Sequence, residues 1–195
     1  MATEYEQKFK ATPALLAEID RAFSAEKHIF SMETTYYDTP TGALSARHYT
    51  LRKRMENGVS VCTLKTPAGA ARAEWEIRCD TIEEAIAQIP ALGCPKDFER
   101  LVQEGVLPIC SARFTRIAKT IPFEGAVVEL ALDEGVLMGG GKEIPLCEVE
   151  AELKEGFREM CDMFCRILAS RFGLEKEPHS KFRRALALYK GEDYA

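Results

Sequence analysis

Residues 4–9 read Glu4-Tyr5-Glu6-Gln7-Lys8-Phe9, so a charged side chain recurs at every second position. On a β-strand that period places Glu4, Glu6 and Lys8 on one face. One such strand is an ordinary solvated surface strand. The decisive feature is recurrence. Arg52 and Arg54 share a parity in Leu51-Arg52-Lys53-Arg54, and Lys65 takes the parity opposite to Cys62 and Leu64. Arg72, Glu74 and Glu76 alternate with Ala73, Trp75 and Ile77; Glu129, Ala131 and Asp133 alternate with Val128, Leu130 and Leu132; Glu148, Glu150 and Glu152 alternate with Val149, Ala151 and Leu153. Charged faces of this kind go to solvent in an open sheet, or to the lumen of a sheet closed on itself. Periodicity is compatible with both. Segregation favours the lumen, because basic residues concentrate in the third to fifth strands and acids in the first, seventh and eighth. The expected fold is α+β: an eight-stranded antiparallel β-barrel with helices packed on the outside. So many charges are costly in a dry interior, so the lumen must be hydrated or hold ions.

The segments between these strands carry helix and turn signals. Thr12-Pro13 reads as an N-cap with proline in the first turn of an amphipathic helix containing Leu15, Leu16, Ile19 and Phe23. A strand over Ser31 to Thr39 ends at Pro40 and Gly42, and Asn57-Gly58 marks a hairpin tip before a strand over Val59 to Thr66. Pro67 and Gly69 turn the chain into the fifth strand. Thr81-Ile82-Glu83-Glu84 is a capping box for a short helix ended by Pro90, and a further helical segment is expected over Lys96 to Gln103. Strands resume at Ile109 to Ile121 and after Gly125. Gly139-Gly140-Gly141 lacks the strand-to-helix setting and trailing Lys-Ser/Thr of a P-loop and reads as a turn. After the eighth strand, Ile144 to Lys154, an amphipathic helix over 156–172 shows Phe157, Met160, Phe164, Ile167 and Leu168 and stops at Gly173. Ser180 caps a last helix.

Composition narrows the class. With 195 residues, 46% of them hydrophobic, the chain reads as one globular domain able to bury a core. A formal charge of −5 argues against general nucleic-acid or membrane-surface binding, so any anion site must come from local arrangement. There is no apolar run of membrane-helix length and no signal-peptide layout, which points to the cytoplasm. The seven cysteines include no CxxC pair and read as reduced packing thiols.

The segregated lumen face has a chemical use. Arginine binds phosphate oxygens through a planar fork and lysine as a point charge, which makes Lys8, Arg52, Arg54, Lys65, Arg72 and Arg116 candidate phosphate ligands. Arg116 is preferred to Arg113 because it shares the parity of Phe114. The carboxylates Glu4, Glu6, Glu74, Glu76, Asp133, Glu148 and Glu150 have no His or Cys partners and offer oxygen alone, a donor set for Mg²⁺ or Mn²⁺. A site with both binds a metal–polyphosphate complex.

Glu4-x-Glu6-x-Lys8 resembles the ExExK signature of the CYTH superfamily, the triphosphate tunnel metalloenzymes. The resemblance extends through Thr35-Tyr36-Tyr37-Asp38-Thr39-Pro40, Leu51-Arg52-Lys53-Arg54, Thr63-Leu64-Lys65, Arg72-x-Glu74-x-Glu76, Leu132-Asp133, Glu148-x-Glu150 and Ser180-Lys181. It implies a single CYTH domain over residues 1–195, an eight-stranded tunnel, and Lys181 as a further triphosphate ligand. It also implies Glu4, Glu6, Lys8, Glu148 and Glu150 as the catalytic set. The wording around Tyr36-Tyr37-Asp38 and Glu148 to Gly156 is similar to the inorganic triphosphatases. Many of these continue into a histidine-rich helical CHAD domain, for which the three histidines here leave no place.

The expected activity is therefore Mg²⁺- or Mn²⁺-dependent hydrolysis of inorganic triphosphate to pyrophosphate and phosphate. Adenylate cyclase, thiamine or nucleoside triphosphatase, and a non-catalytic polyphosphate sensor are the alternatives. The expected partner is a triphosphate-containing small molecule, with no nucleic acid or membrane, bound by a monomer or homodimer.

Overall fold

A computed structural model describes residues 2–68 and 71–192, with the side chains of residues 2–4 and 71 left undescribed. The expected turn residue Gly69 and the Glu4 side chain therefore lie outside the described residues. The strands are β1 (Ala2–Glu4), β2 (Glu6–Lys10), β3 (Lys27–Asp38), β4 (Thr50–Glu56), β5 (Val59–Ala68), β6 (Ala71–Arg78), β7 (Leu107–Phe123), β8 (Ala126–Gly139) and β9 (Lys142–Glu155). The helices are α1 (Pro13–Ala22), α2 (Ile82–Gln88), α3 (Asp97–Leu101), α4 (Arg158–Phe172) and α5 (Lys181–Lys190).

All strands join one antiparallel sheet in the order β1, β6, β5, β4, β3, β7, β8, β9, β2. The first expected strand is broken at Tyr5: Ala2–Glu4 pair with β6 at one edge, and Glu6–Lys10 pair with β9 at the other. One short stretch of chain thus bridges both edges, which curls the eight-stranded sheet on itself. The break is held from outside. The Tyr5 hydroxyl donates to Asp162 of α4, Gln7 Nε2 donates to the same carboxylate at 2.6 Å, and the Arg158 guanidinium lies 4.0 Å from the Tyr5 ring centroid.

Alternation decides which residues face the helices. Phe9, Val128, Leu130, Leu132, Val149 and Ala151 pack against α1 and α4, while Leu51, Cys62, Leu64, Ala73 and Trp75 pack against α2 and α3. Trp75 is therefore helix-facing packing. Each caps as its sequence suggests: Thr12 Oγ1 accepts from Leu15 N–H, Thr81 and Glu84 form a reciprocal capping box, and Ser180 Oγ accepts from Arg183 N–H. Burying Leu16 and Ile19 of α1 contributes about 1.5–3 kcal/mol each.

Two expected core positions of α4 are corrected. Phe157 is the N-cap and stays 76% exposed, and Ile167 is 52% exposed, because Cys161, Phe164, Cys165 and Leu168 form the buried stripe. All seven cysteines are free, as packing thiols. No helix among the described residues is long and apolar enough to cross a membrane.

Helix α5 has a different seat. Its Ala185 and Leu188 pack with Met32, Tyr36, Ala112, Phe114, Leu137 and Leu146, which share the parity of the charged inner residues. It therefore closes one end of the curl from the concave side. Glycine permits this approach: a Cβ on Gly139 would lie 2.4 Å from the Ala185 carbonyl oxygen and 2.8 Å from Tyr189 N. The Gly139–Gly141 run is the expected turn between β8 and β9, and also the floor on which α5 rests.

Candidate active site

The inner faces of the strands, with α5, enclose a cavity of about 90 Å³ lined by Glu6, Lys8, Tyr36, Thr50, Arg52, Arg54, Lys65, Arg72, Arg116, Glu150, Glu152, Ser180, Lys181 and Phe182. All seven proposed phosphate ligands, Lys8, Arg52, Arg54, Lys65, Arg72, Arg116 and Lys181, meet there. The cavity continues both ways. It shares Glu6, Lys8 and Arg72 with a groove of about 1080 Å³ beside α4, and Thr50, Arg72, Ser180 and Phe182 with a vestibule of about 690 Å³ beside α5. The small polar lumen is thus continuous with two larger grooves, and all three meet at Arg72.

One wall is built from three carboxylates and three cations. Asp133 and Glu148 are fully buried, and the Glu150 side chain is 12% exposed. Arg116 reaches Asp133 in a fork, Nε to Oδ1 at 2.8 Å and Nη2 to Oδ2 at 2.7 Å, and also bonds Glu150. Lys181 Nζ lies 2.7 Å from Asp133 Oδ2 and 2.9 Å from Glu150 Oε1 and bonds Glu148 Oε1, while Arg184 bonds Glu148 Oε2. The Phe114 ring lies below, 5.9 Å from the Arg116 guanidinium carbon and 5.1 Å from Lys181 Nζ. The electrostatics follow from this packing. Burial pushes the Glu148 carboxyl up to about 7 against the pull of Lys181, while for Glu150 burial is outweighed by Lys181 and Arg116, which hold it well below the usual carboxylate range. Burial also works against the charges of Arg116 and Lys181, yet their carboxylate partners hold both above their ordinary values.

The opposite wall has no such balance. Burial first, then the neighbouring Arg52, pull the Arg54 guanidinium down to about 10. Arg54 Nε donates to Thr34 Oγ1 at 3.2 Å, and Arg52 Nε is buried without a hydrogen-bond partner. Among the described residues no carboxylate pairs with either arginine. Tyr36 is buried and lines the same cavity as both arginines and Phe182, its ring centroid 5.1 Å from that of Phe182. Burial raises its hydroxyl pKa, and Arg52, Arg54 and Lys181 oppose the rise.

The other sequence candidates are placed as follows. Glu6 pairs with Lys8 at 2.9 Å, and Glu74 pairs with Lys65. Glu76 is exposed and lines none of these cavities, and Arg72 is exposed where all three cavities meet. Arg113 is exposed, whereas the Arg116 side chain is 13% exposed in the lumen. Arg184 was missed; its signal was the i, i+3 spacing from Lys181 on one helix face.

Asp133, Glu148 and Glu150 each offer an oxygen within 4.8 Å of the others. Their all-oxygen chemistry suits a hard divalent cation, and the Lys181 ammonium already rests on all three as a stand-in cation. Glu6, Glu74 and Glu76 do not join that cluster.

The site is thus a cation-lined cavity in a curled antiparallel sheet, beside a buried carboxylate cluster. The chain belongs to the CYTH domain family, whose sequence model matches residues 2–186. It is 29% identical over 163 residues to an inorganic triphosphatase of Haemophilus influenzae, covering 80% of this chain and 46% of that protein. The chain thus spans about half the length of this curated relative. By fold it is similar to a Hippeastrum protein described as a candidate adenylyl cyclase with a dominant triphosphatase activity, with TM-score 0.65, 20% identity and 97% of each chain covered. It is also similar to a candidate adenylate cyclase of Bacillus halodurans, with TM-score 0.64, 17% identity and coverage of 94% and 98%.

Proposed function

We propose that the protein hydrolyses inorganic triphosphate to pyrophosphate and phosphate with the help of a divalent metal ion, Mg²⁺ or Mn²⁺. The observation that carries this reading is the convergence of seven cations on one small lumen, with Glu150 joining that lumen to the buried carboxylates Asp133 and Glu148. Arg52 and Arg54, without carboxylate counter-ions among the described residues, supply the uncompensated charge that a phosphate chain needs. Lys8, Lys65, Arg72, Arg116 and Lys181 complete the ring. Fixed donors aimed at the phosphoryl oxygens align the chain for in-line attack and neutralise its charge without reorganisation. Asp133, Glu148 and Glu150 would hold the metal. When bound, it would polarise phosphoryl oxygens and lower the pKa of a water nucleophile. Trp75 lies on the outer face, so it is unavailable to stack a base, whereas inorganic triphosphate is recognised entirely through its oxygens.

The test is a product assay with tripolyphosphate, ATP and thiamine triphosphate, following phosphate, pyrophosphate and cyclic AMP together. Expected are the highest kcat/KM for tripolyphosphate, loss of turnover in excess EDTA and recovery with Mg²⁺ or Mn²⁺. Cyclic AMP from ATP, a preference for thiamine triphosphate, or full activity in EDTA would overturn this reading.

A further inference from the structure

The carboxylate cluster is not open to a metal as it stands, because a side chain of the same protein sits in it. Lys181 Nζ contacts Asp133, Glu148 and Glu150, the same three groups whose oxygens converge within 4.8 Å. An ammonium lodged among the three carboxylates and a divalent ion at the same point exclude each other by volume and like charge. Building on the triphosphate reading above, we propose that Lys181 and the metal exchange for one another in this cluster, Lys181 turning to the entering phosphate chain as the metal takes its place. Arg184 is the positioning residue that holds Glu148 through the exchange.

Three observations carry this. Lys181 lines the phosphate cavity as well as the cluster, so its flexible four-carbon stem, starting at the first residue of α5, has a second destination within reach. Charge sets the order of events. Asp133, Glu148 and Glu150 are balanced by Arg116, Lys181 and Arg184, so a divalent ion entering alone would put two unbalanced positive charges beside Arg52 and Arg54. A phosphate chain entering with it cancels that excess and offers Lys181 new oxygens. Metal and triphosphate affinities are thereby linked, each raising the other. Finally, Arg184 is 7% exposed, grips the Glu148 oxygen that Lys181 does not use, and lies 3.6 Å from Glu177. Its permanent charge keeps a counter-ion on Glu148 when Lys181 departs.

The experiment measures Mn²⁺ binding in the absence of any phosphate, by the resonance signal of free Mn²⁺, in the wild type, Lys181→Met and Lys181→Arg. Circular dichroism establishes that each variant is folded. Vacating the cluster removes charge-assisted bonds that compete with the ion, so Lys181→Met should bind Mn²⁺ about tenfold more tightly than wild type. Lys181→Arg, which restores the internal cation, should stay weak. A folded Lys181→Met that binds Mn²⁺ no better than wild type overturns the exchange. Should Lys181→Met fail to fold, the wild type decides: the ¹⁵N ammonium resonance absent from Lys181→Arg should shift when Mg²⁺ and tripolyphosphate are added together, and an unmoved resonance under saturating conditions overturns the proposal. Failure of the hydrolysis reading looks different. In that case Lys181→Met gains Mn²⁺ affinity while the wild type releases no phosphate from tripolyphosphate.

Discussion

Replacing Arg116 by methionine tests whether the buried wall is a neutral network or a set of incidental contacts. Arg116 forks onto Asp133 at 2.8 and 2.7 Å and bonds Glu150, and Asp133 has no solvent exposure. Removing one member of a buried pair leaves an uncompensated charge and typically costs about 3–5 kcal/mol. The lower end applies, because Lys181 Nζ still lies 2.7 Å from Asp133 and 2.9 Å from Glu150. A cost of about 3 kcal/mol corresponds to a fall in Tm of about 6–12 °C for a domain of this size. Arg113→Met, three residues away but exposed, should change stability by less than about 0.5 kcal/mol. The double variant Arg116→Met, Asp133→Asn should recover part of the loss, since a neutral amide no longer demands a counter-charge. The assay is thermal denaturation by circular dichroism in metal-free buffer. If Arg116→Met melts within about 2 °C of the wild type, or Arg113→Met loses more, the network is not what holds this wall.

Arg52→Ala should behave in the opposite way: about 10- to 100-fold weaker tripolyphosphate binding by calorimetry, with no loss of stability in the ligand-free protein, since a half-buried cation beside Arg54 is removed. Unchanged affinity would place Arg52 outside the binding wall. Gly139→Ala should lower the Tm, because its Cβ would meet Ala185 O at 2.4 Å and force α5 off its seat at a cost of about 1–3 kcal/mol; an unchanged Tm would refute the close approach. Asp20 receives hydrogen bonds from Lys119 first of all, and its carboxyl is lowered from 3.8. Its contribution is therefore present above that value and lost as pH falls below it, so the Tm gap between wild type and Asp20→Asn should close on acidification below 3.8, and a constant gap would refute the linkage.

What could be read from the sequence was what depends on parity. Arg52, Arg54, Lys65 and Arg116 lie on the inner face because alternation leaves them no other choice once Leu51, Leu64 and Ile117 pack towards the helices. The choice of Arg116 over Arg113 rested on the same rule. Parity is silent on which inward side chains meet across the lumen, and there it failed to separate Glu76, left at the exposed end of β6, from Asp133 at the buried middle of β8. It also cannot see a strand change partners at Tyr5, because both halves keep the same alternation. Arg184 and the concave seat of α5 were hidden for a different reason. An amphipathic helix announces that one face is buried, but not whether the sheet offers its outer or inner surface.

On the triphosphate reading, the cavity raises the question of why a site for a polyanion would contain so many acids. If carboxylates served only as counter-ions to the ring of cations, each arginine would be expected to have one, and the lumen would be neutral throughout. Instead, among the described residues, Lys8, Lys65, Arg116 and Lys181 have carboxylate partners and the two arginines of β4 do not. Asp133, Glu148 and Glu150 are satisfied by Arg116, Lys181 and Arg184, while Arg52 and Arg54 have no carboxylate partner among the described residues, with Arg54 drawn down to about 10 by burial and its neighbour. Stability alone would favour moving one carboxylate across the lumen. On the triphosphate reading, the missing negative charge would come with the bound phosphate chain, and the paired wall would reorganise as it arrives.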